Sequence, residues 1–247
     1  TIQGLTFTGA APNGEVEDYQ VAIEQLDWGD APDPTYPTLL ASNGARHTIM
    51  GGVFMGNLID AEPNGLPNAT ATGDNLNNLN DEDGVTFNTA LNPGMPATLT
   101  VNASIANAVL QGWIDFNKNG SWADAGEQII TNLNTVAGNN VVNFNVPATA
   151  VVGQTFARFR ISTIQGLTFT GAAPNGEVED YQLTIIELEQ PDFGDAPDPN
   201  YPTLLASNGA RHTLLAGLHM GNLIDTEPNG LPNATATGDN LNNLNDE

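Results

Sequence analysis

The sequence predicts an all-β protein, built from β-sandwich domains of the immunoglobulin-like or jelly-roll-like kind. Short runs of alternating or uniformly apolar residues recur between turn signals, which is typical of sandwich strands. Helical periodicity is nearly absent. Asn-Gly pairs, which suit the positive φ angles of tight turns, punctuate the chain at Asn13, Asn43, Asn64 and Asn119.

The middle of the chain contains the clearest strand candidates. In the run TFARFRIS the arginines alternate with apolar residues, so we expect Phe159 and Ile161 to face the core. The predicted strands are, in chain order, 97–101, 109–116, 128–130, 141–146, 155–162 and 180–186. A short helix is expected near 37–41. The Asn-rich segment 74–82 is expected to be a loop that carries polar ligands or caps.

Long segments of the sequence occur twice. Residues 1–20 are identical to residues 163–182, and residues 27–82 recur as 192–247 with eight substitutions. The offset between copies is 162 residues in the first pair and 165 in the second, so three extra residues lie in the joint between copies. Such self-similarity at a fixed period indicates a repeat architecture.

The duplication predicts three units, which we interpret as a tandem array cut within a repeat at both ends. Residues 1–26 form the end of one repeat, 27–187 a complete repeat and 188–247 the start of the next. A repeat of about 160 residues is long enough to bury a core of its own. Within the first unit, 17–23 could complete the sheet of a following domain as a donated strand. An ordinary two-domain protein with a duplication is the alternative.

The composition is strongly acidic, with 29 Asp and Glu against five Lys and Arg and a formal net charge of −24. This balance disfavours nucleic acid and anionic membrane surfaces as partners, and it favours bound cations that relieve the repulsion. No cysteine is present, so a secreted protein of this kind depends on its core, metal ions or assembly. No apolar run approaches the roughly 20 residues that span a bilayer, so no direct membrane insertion is expected.

The most specific motif reads DFNKNGSWADAGE and lies between two predicted strands. Its side-chain oxygens fall at the first, third and fifth positions and a glycine follows at the sixth, a spacing that wraps a loop around one hard cation. We expect Ca²⁺ to be bound here by Asp115, Asn117, Asn119, Ser121, Asp124 and Glu127. The motif differs from an EF-hand because its Glu is at position 13 and strands flank it. The alternative is a hairpin turn whose Asn and Asp side chains cap backbone groups.

A second set of acidic residues is dispersed along the first part of each repeat, which we call the head (residues 27–84, with a second copy from residue 192). Four of them form either a second Ca²⁺ site or part of a structural cluster: Asp30, Asp33, Asp81 and Asp83. The basic residues of the head are expected to pair with carboxylates, an arrangement that fixes a fold. The predicted members of this ion-pair cluster, from both copies, are Arg46, His47, Glu15, Glu17, Asp18, Arg211, His212, Glu177, Glu179 and Asp180.

Catalytic motifs are not found in the sequence. It contains no nucleophile elbow, Walker A loop, HExxH pair or Gly-rich dinucleotide loop. The three tryptophans are expected to pack in the core or against turns, in preference to forming a platform for sugars. We therefore expect a protein that is not an enzyme.

The order of the motifs resembles that of the GEVED domain, a module of large secreted and surface proteins of bacteria. The resemblance is carried by GEVEDY at 14–19, by FGDAPD, YPTLL, ARH and DEDGV in the heads, and by WIDFN, WADAGE and ARFR in the middle of the chain. It implies an extracellular β-sandwich module of adhesins and surface fibres with no known catalysis. Family members often carry an acidic residue where Asn119 stands, which implies a weaker ion site at the same place.

These observations together predict a non-catalytic structural repeat of an extracellular or cell-surface stalk or filament. Bound calcium and self-association between neighbouring repeats, through exposed strand edges, are expected to stabilise it. One alternative is an adhesin module that binds a carbohydrate or a surface through loops such as 64–81. Another is an accessory domain of a secreted hydrolase. The near-identity of the copies favours a mechanical or spacing role over distinct ligand specificities.

Overall fold

The computed structural model describes residues 6–21, 23–73, 80–188, 191–214, 218–221, 224 and 226–238. Regular structure within these ranges is almost entirely β, with single turns of 3-10 helix at Leu40–Ser42 and Leu205–Ser207. The predicted all-β class is confirmed. None of the helices in these ranges has the length and apolar character needed to cross a bilayer.

The strands of the described residues are short. In chain order they are β1 (Leu26–Trp28), β2 (Arg46–Thr48), β3 (Val85–Phe87), β4 (Pro96–Ala103), β5 (Val109–Ile114), β6 (Gln128–Asn134), β7 (Gly138–Asn145), β8 (Gly153–Ser162), β9 (Ala172–Ala173), β10 (Glu177–Ile185), β11 (Pro191–Phe193) and β12 (Arg211–Thr213). All six predicted strands are therefore present, with boundaries that differ by a few residues. The helix expected near 37–41 is the 3-10 turn at Leu40–Ser42. In the expected loop 74–82, residues 74–79 lie outside the described residues.

Two antiparallel sheets form a sandwich. One has the strand order β3-β4-β7 and the other the order β10-β8-β5-β6. In β4 the buried side chains alternate, because Leu99 and Val101 point into the sandwich while the residues between them face outward. Phe159 and Ile161 of β8 belong to the same core. The sandwich prediction and the core positions of these two residues are confirmed.

The head forms a third layer on the outer face of the four-stranded sheet. Strands β1 and β2 pair antiparallel, and β2 pairs in parallel with β9, which precedes β10 in the chain. Tyr36 of the head packs on Trp122, with ring centroids 4.5 Å apart, and Trp113 of β5 belongs to the same small apolar cluster. The sandwich core covers the face of β8 that carries Phe159, and the head covers the opposite face. Both faces of β8 are therefore buried.

The second copy of the head folds locally like the first. β11 and β12 pair in the register of β1 and β2. Asp198 accepts hydrogen bonds from Thr203 N and Ser207 Oγ at 3.0 and 2.9 Å, as Asp33 does from Thr38 N and Ser42 Oγ in the first copy. The head sequence therefore specifies its own turn structure wherever it occurs.

Candidate metal centre

A buried salt bridge ties the sandwich to the head. Arg158 of β8 donates from Nε and Nη2 to the two oxygens of Asp180 of β10, at 2.7 and 2.6 Å, and both side chains are inaccessible to solvent. Asp180 Oδ2 also accepts from the backbone amides of Asp30 and Ala31 of the head, at 2.9 and 2.8 Å. The bidentate, charge-assisted geometry is that of a strong pair, and it fixes the head on the sheet.

Arg160 is the second arginine of β8 that contacts the head. Its hydrogen bonds go to a histidine and to backbone carbonyls. Arg160 donates from Nε to Nε2 of the buried His47 at 2.9 Å, while its Nη atoms donate to backbone carbonyls such as Thr168 O and Gly171 O. His47 Nδ1 lies 2.8 Å from Asn175 O. Burial, and then the charge of Arg160, hold the pKa of His47 well below its usual range. His47 is therefore neutral, donating from Nδ1 and accepting at Nε2.

Two glycines permit this close packing. Gly176, directly before β10, has a φ of +107°, and a Cβ at this position would lie 1.8 Å from Ile161 O. A Cβ on Gly29 would lie 2.4 Å from Asp180 Oδ2. The backbone must approach its neighbours at both points, so only glycine fits without a rearrangement.

The other acids at the start of β10 also hold backbone amides of the head. Glu177 accepts from Met55 N, and Glu179 accepts from Gly84 N at 2.9 Å. Burial raises the pKa of Glu179 to about 8. Burial, and then the charge of Glu179, raise the pKa of Glu177 well above its usual range. The GEVED sequence at 176–180 therefore forms the start of β10, which we call the GEVED strand. Its carboxylates bind backbone amides of the head and hold the head in place.

The predicted ion-pair cluster differs from this arrangement. The Arg46 guanidinium donates to Gly44 O at 3.0 Å and lies over the Trp28 ring, because its strand directs it away from β10. The arginine that pairs with Asp180 is Arg158. His47 lies beside the GEVED sequence at 176–180, but its side-chain partner is Arg160. The remaining predicted members of the cluster are exposed, since they belong to copies that have no sandwich against them: Glu15, Glu17, Asp18, Arg211 and His212.

Buried carboxylates outnumber buried cations in residues 27–187. The described residues of this unit bury two guanidinium groups, those of Arg158 and Arg160, and a neutral His47. They bury nine carboxylates, those of Asp27, Asp30, Glu62, Asp81, Asp115, Glu127, Glu177, Glu179 and Asp180. A buried carboxylate requires a cation, a proton or a set of hydrogen-bond donors. The excess of negative charge therefore favours bound cations.

The predicted calcium loop, residues 115–127, connects β5 to β6 and is closed by hydrogen bonds from side chains to the backbone. Asn117 Oδ1 accepts from Asn119 N and Asn119 Oδ1 accepts from Ser121 N, both at 2.9 Å. The Asp124 carboxylate accepts from the side-chain amides of Asn117 and Asn119 at 3.1 and 2.6 Å. These are the capping bonds that the turn interpretation predicts.

Asp115 and Glu127 lie buried at the base of this loop. Asp115 Oδ2 accepts from Tyr36 Oη at 2.7 Å and from Gly120 N at 2.9 Å, and Glu127 Oε1 accepts from Phe116 N at 3.1 Å. The other oxygen of each carboxylate, Asp115 Oδ1 and Glu127 Oε2, is buried and accepts no hydrogen bond from the described residues. Leaving such atoms unsatisfied is costly.

These two carboxylates fit a hard divalent cation. Burial, and then the charge of Asp115, raise the pKa of Glu127 to about 7. A cation would neutralise both groups and satisfy both oxygens. Asp115 and Glu127 would be the inner ligands, whereas Asp124 is held by the side-chain amides of Asn117 and Asn119, and the three acids do not form one of the groups of converging carboxylates among the described residues. The remaining oxygens of the motif already accept from the turn backbone, although an amide oxygen has a second lone pair for an ion.

The segment that contains the loop, Arg158, Arg160 and the acids of β10 is similar to a known family. Residues 109–184 match the family model of the GEVED domain. The resemblance expected from the sequence is therefore confirmed over this segment, which runs from the start of β5 into β10. No curated protein and no solved structure matches the chain.

The four acids expected to form a second site are not gathered as one set. Asp33 caps the 3-10 turn by accepting from two backbone amides and a serine hydroxyl. Asp83 accepts from the backbone and side-chain amides of Asn57, and Asp30 Oδ2 accepts from Gly73 N at 2.7 Å. Asp81 lies elsewhere, among other buried acids. Asp33 satisfies amides of its own short loop, whereas Asp83 and Asp30 tie their segments to distant loops of the head, at Asn57 and Gly73.

Sequence reasoning missed the roles of Arg158 and Arg160 and the burial of Asp27. The signal for the arginines was present, because the alternation in β8 places them on the face opposite Phe159. Only a third layer over that face makes them buried, and the head was not expected to be that layer. Asp27 carried no comparable signal. It is buried because β1 packs beside β10, where its Oδ2 accepts from Val178 N at 2.7 Å.

Proposed function

We propose that this chain is a non-catalytic structural repeat of an extracellular surface protein or filament, stabilised by Ca²⁺ and by contacts between neighbouring repeats. The observation that carries the proposal is the contrast between two copies of the same sequence. One copy of the head and one copy of the GEVED strand are packed together. The second head and the irregular segment 6–21, which repeats the GEVED sequence, are largely exposed, and their exposed residues include several that the packed copies bury.

The exposed head, from residue 191, retains its local fold but presents side chains whose counterparts are buried. Tyr36 is 5% exposed and its counterpart Tyr201 is 63% exposed, while Met55 is fully buried and its counterpart Met220 is 91% exposed. An apolar surface that is buried in one copy and open in the other is a binding surface for the missing layer. One part of that layer is the GEVED strand, whose Glu177 accepts from Met55 N, and the other part is Trp122 and Phe156, on which Tyr36 packs and which have no counterpart in residues 1–26.

The exposed copy of the GEVED segment lies at the other end of the described chain, in 6–21 and residue 23, and forms no regular strand there. Val16 is 87% exposed, whereas its counterpart Val178 in β10 is 2% exposed. The sequences are identical around these two residues, so the difference arises because the first copy has neither a head nor a neighbouring strand such as β8 against it. This segment therefore matches the exposed head in sequence and in the surfaces that both leave open.

The proposed contact is strand addition between neighbours. In the packed copies, Arg46 N donates to Gly171 O at 3.1 Å and Gly171 N donates to Asn43 O at 2.9 Å. The corresponding bonds between two chains would join Arg211 and Asn208 of one head to Gly9 of another chain. The surfaces are at different places on the molecule, so the contact is head-to-tail and builds a linear assembly. In a continuous array, the same contact lies within each repeat.

Calcium and an extracellular location fit the same interpretation. The excess of buried carboxylates needs cations, and the millimolar affinities typical of extracellular calcium modules suffice where calcium is abundant. A net charge of −24 keeps such an assembly soluble and is screened by the same ions. The proposal assigns no catalytic role, because the buried acids of the GEVED strand are engaged with backbone amides of the head.

Sedimentation velocity of the 247-residue chain in Ca²⁺ tests the proposed contact. We expect oligomers that grow with concentration. Asp18→Lys should abolish them, since the counterpart of Asp18 accepts two backbone amides of the head. Glu24→Lys, an equal change of charge at an exposed site outside the motif, is the control and should leave them unchanged. A monomer at all concentrations, or equal effects of the two variants, would contradict strand addition. Specific binding of a sugar on a glycan array would favour the adhesin alternative.

A further inference from the structure

Five acidic side chains converge where the head meets the GEVED strand, away from the loop at 115–127. One carboxylate oxygen each from Asp27, Asp81 and Glu177 lies within 4.8 Å of the others, and the same is true of Asp60, Glu62 and Asp81. Asp81 belongs to both groups. We call these five residues the joint cluster. Glu177 comes from β10, and the other four members come from the head.

Backbone amides hold one oxygen of most of these carboxylates. Glu62 Oε2 accepts from Trp28 N at 3.2 Å and Asp81 Oδ2 accepts from Asp60 N at 3.1 Å. Asp27 and Glu177 bind the amides of Val178 and Met55 in the same way. The last two bonds join the head and β10: Asp27 of the head accepts from an amide of β10, and Glu177 of β10 accepts from an amide of the head. They orient the carboxylates toward one another in a fixed arrangement, which is what a prebuilt ligand set requires.

The other oxygens of the cluster include three that are buried and unsatisfied. Asp60 Oδ1, Glu62 Oε1 and Glu177 Oε1 accept no hydrogen bond from the described residues. Glu177 is fully buried and Glu62 is 6% exposed. A buried acceptor without a donor costs free energy comparable to a lost hydrogen bond, and more when it is charged. The Asp60 and Glu62 carboxyl groups are close enough to share a proton, whereas the fully buried Glu177 Oε1 is the acceptor that a ligand with positive charge would satisfy.

The buried cations of the described chain are engaged elsewhere. Arg158 is paired with Asp180, and Arg160 donates to His47 and to backbone carbonyls. The cluster must therefore be neutralised by protons or by an ion from solution.

We propose that the joint cluster binds a hard divalent cation, for which Ca²⁺ is the probe, and that this ion fixes the head on the GEVED strand. The donor set consists of carboxylate oxygens, which suit Ca²⁺ or Mg²⁺ and disfavour softer transition metals. Oxygens that share one Ca²⁺ at 2.3–2.6 Å lie within about 5 Å of one another, in agreement with the spacing within each of the two groups of three that meet at Asp81. Because Glu177 comes from β10, the ion bridges two layers that the chain otherwise joins by hydrogen bonds and the Arg158 pair.

This site does not depend on self-association, because it lies within residues 27–187. It goes beyond the calcium loop at 115–127, with which it shares no ligand. An ion bound at the loop 115–127 (the loop ion) and an ion bound at the joint cluster (the joint ion) can therefore be removed one at a time by different substitutions. Failure of the chain to oligomerise would leave the joint site untouched.

The test is a count of bound Ca²⁺ by equilibrium dialysis of the EGTA-treated 247-residue chain, at concentrations below those that give oligomers. Asp115→Asn should lose the loop ion and keep the joint ion. Glu177→Gln should lose at least one ion that Asp115→Asn retains. Glu15→Gln is the matched control, since the same motif is exposed there, and it should bind as many ions as the unmodified chain.

Tryptophan fluorescence provides a second measurement on the same variants. Ca²⁺ should raise the melting temperature of Glu177→Gln by several degrees less than that of the Glu15→Gln control. If Glu177→Gln fails to fold, Glu62→Gln takes its place, with the same loss of an ion expected. A chain in which Glu177→Gln and Glu62→Gln bind as many ions as the control, at equal affinity, overturns the proposal. The carboxylates would then be neutralised by protons alone.

Discussion

Replacement of Asp180 by asparagine should destabilise the unit 27–187 strongly. The substitution removes the charge that compensates Arg158, whose Nε and Nη2 donate to Asp180 at 2.7 and 2.6 Å in a fully buried environment. The amide would also place a donor where donors already converge, since Asp30 N and Ala31 N bind Asp180 Oδ2. Breaking a buried pair by removing one partner costs about 3–5 kcal/mol.

The expected cost corresponds to a fall in melting temperature of roughly 6–20 °C, since 1 kcal/mol shifts a domain of this size by about 2–4 °C. Tryptophan fluorescence is the appropriate assay, because the three tryptophans of the chain all lie in 27–187. Asp18→Asn, compared at concentrations below those that give oligomers, is the matched control: it changes the same residue in the identical, exposed segment, where a surface substitution stays within about 0.5 kcal/mol. Equal shifts for the two variants would refute the assignment of Asp180 as the clamp between layers.

Three further variants test other contacts by the same assay. Gly176→Ala should lower the free energy of unfolding by at least about 2 kcal/mol, because the alanine would have a positive φ and its Cβ would clash with a backbone carbonyl. Gly14→Ala, in the exposed copy, is the control and should change the free energy of unfolding little. Tyr36→Phe should cost about 1.5–3 kcal/mol through loss of a bond to a loop carboxylate, and Tyr201→Phe should cost nothing measurable. His47 is held neutral by burial, so its contribution is present above about pH 6.5 and is lost as the pH falls toward its lowered pKa. The stability gap between the unmodified chain and His47→Gln, measured in saturating Ca²⁺, should therefore narrow below pH 6.5. An unchanged gap would contradict a neutral His47.

The sandwich could be predicted from the sequence because its strands are long enough to display alternation. β4 spans 8 residues and its buried positions recur at every second residue, while β8 spans 10 residues in which apolar side chains alternate with arginines in the sequence although both faces are buried. Strands of two or three residues, such as β2 and β9, show no period, so they were not predicted. β10 was predicted to begin at 180 and begins at Glu177, because three acids in four residues are not the usual sequence of a buried strand.

The location of the calcium loop was predictable and the joint cluster was not. The loop ligands are close in sequence, so their spacing alone suggests an ion. The joint cluster unites residues from 27 to 177, and only the packing of the head against β10 brings them together. Asp30 and Asp33 had the same sequence appearance as Asp81, yet Asp33 accepts from amides of its own loop and Asp30 accepts from the distant Gly73 N. Which acid caps a turn and which faces an ion depends on this tertiary packing.

The central claim is that the repeat requires bound cations to neutralise its buried acids, and thermal unfolding with and without chelation tests it most directly. Two sites occupied at about 100 times their Kd would together contribute roughly 5 kcal/mol. The tryptophan-monitored melting temperature of the unmodified chain should therefore fall by roughly 10–20 °C when Ca²⁺ is replaced by excess EGTA, and should return when Ca²⁺ is restored. An identical melting temperature in both conditions, with no Ca²⁺ found by elemental analysis, would contradict the account.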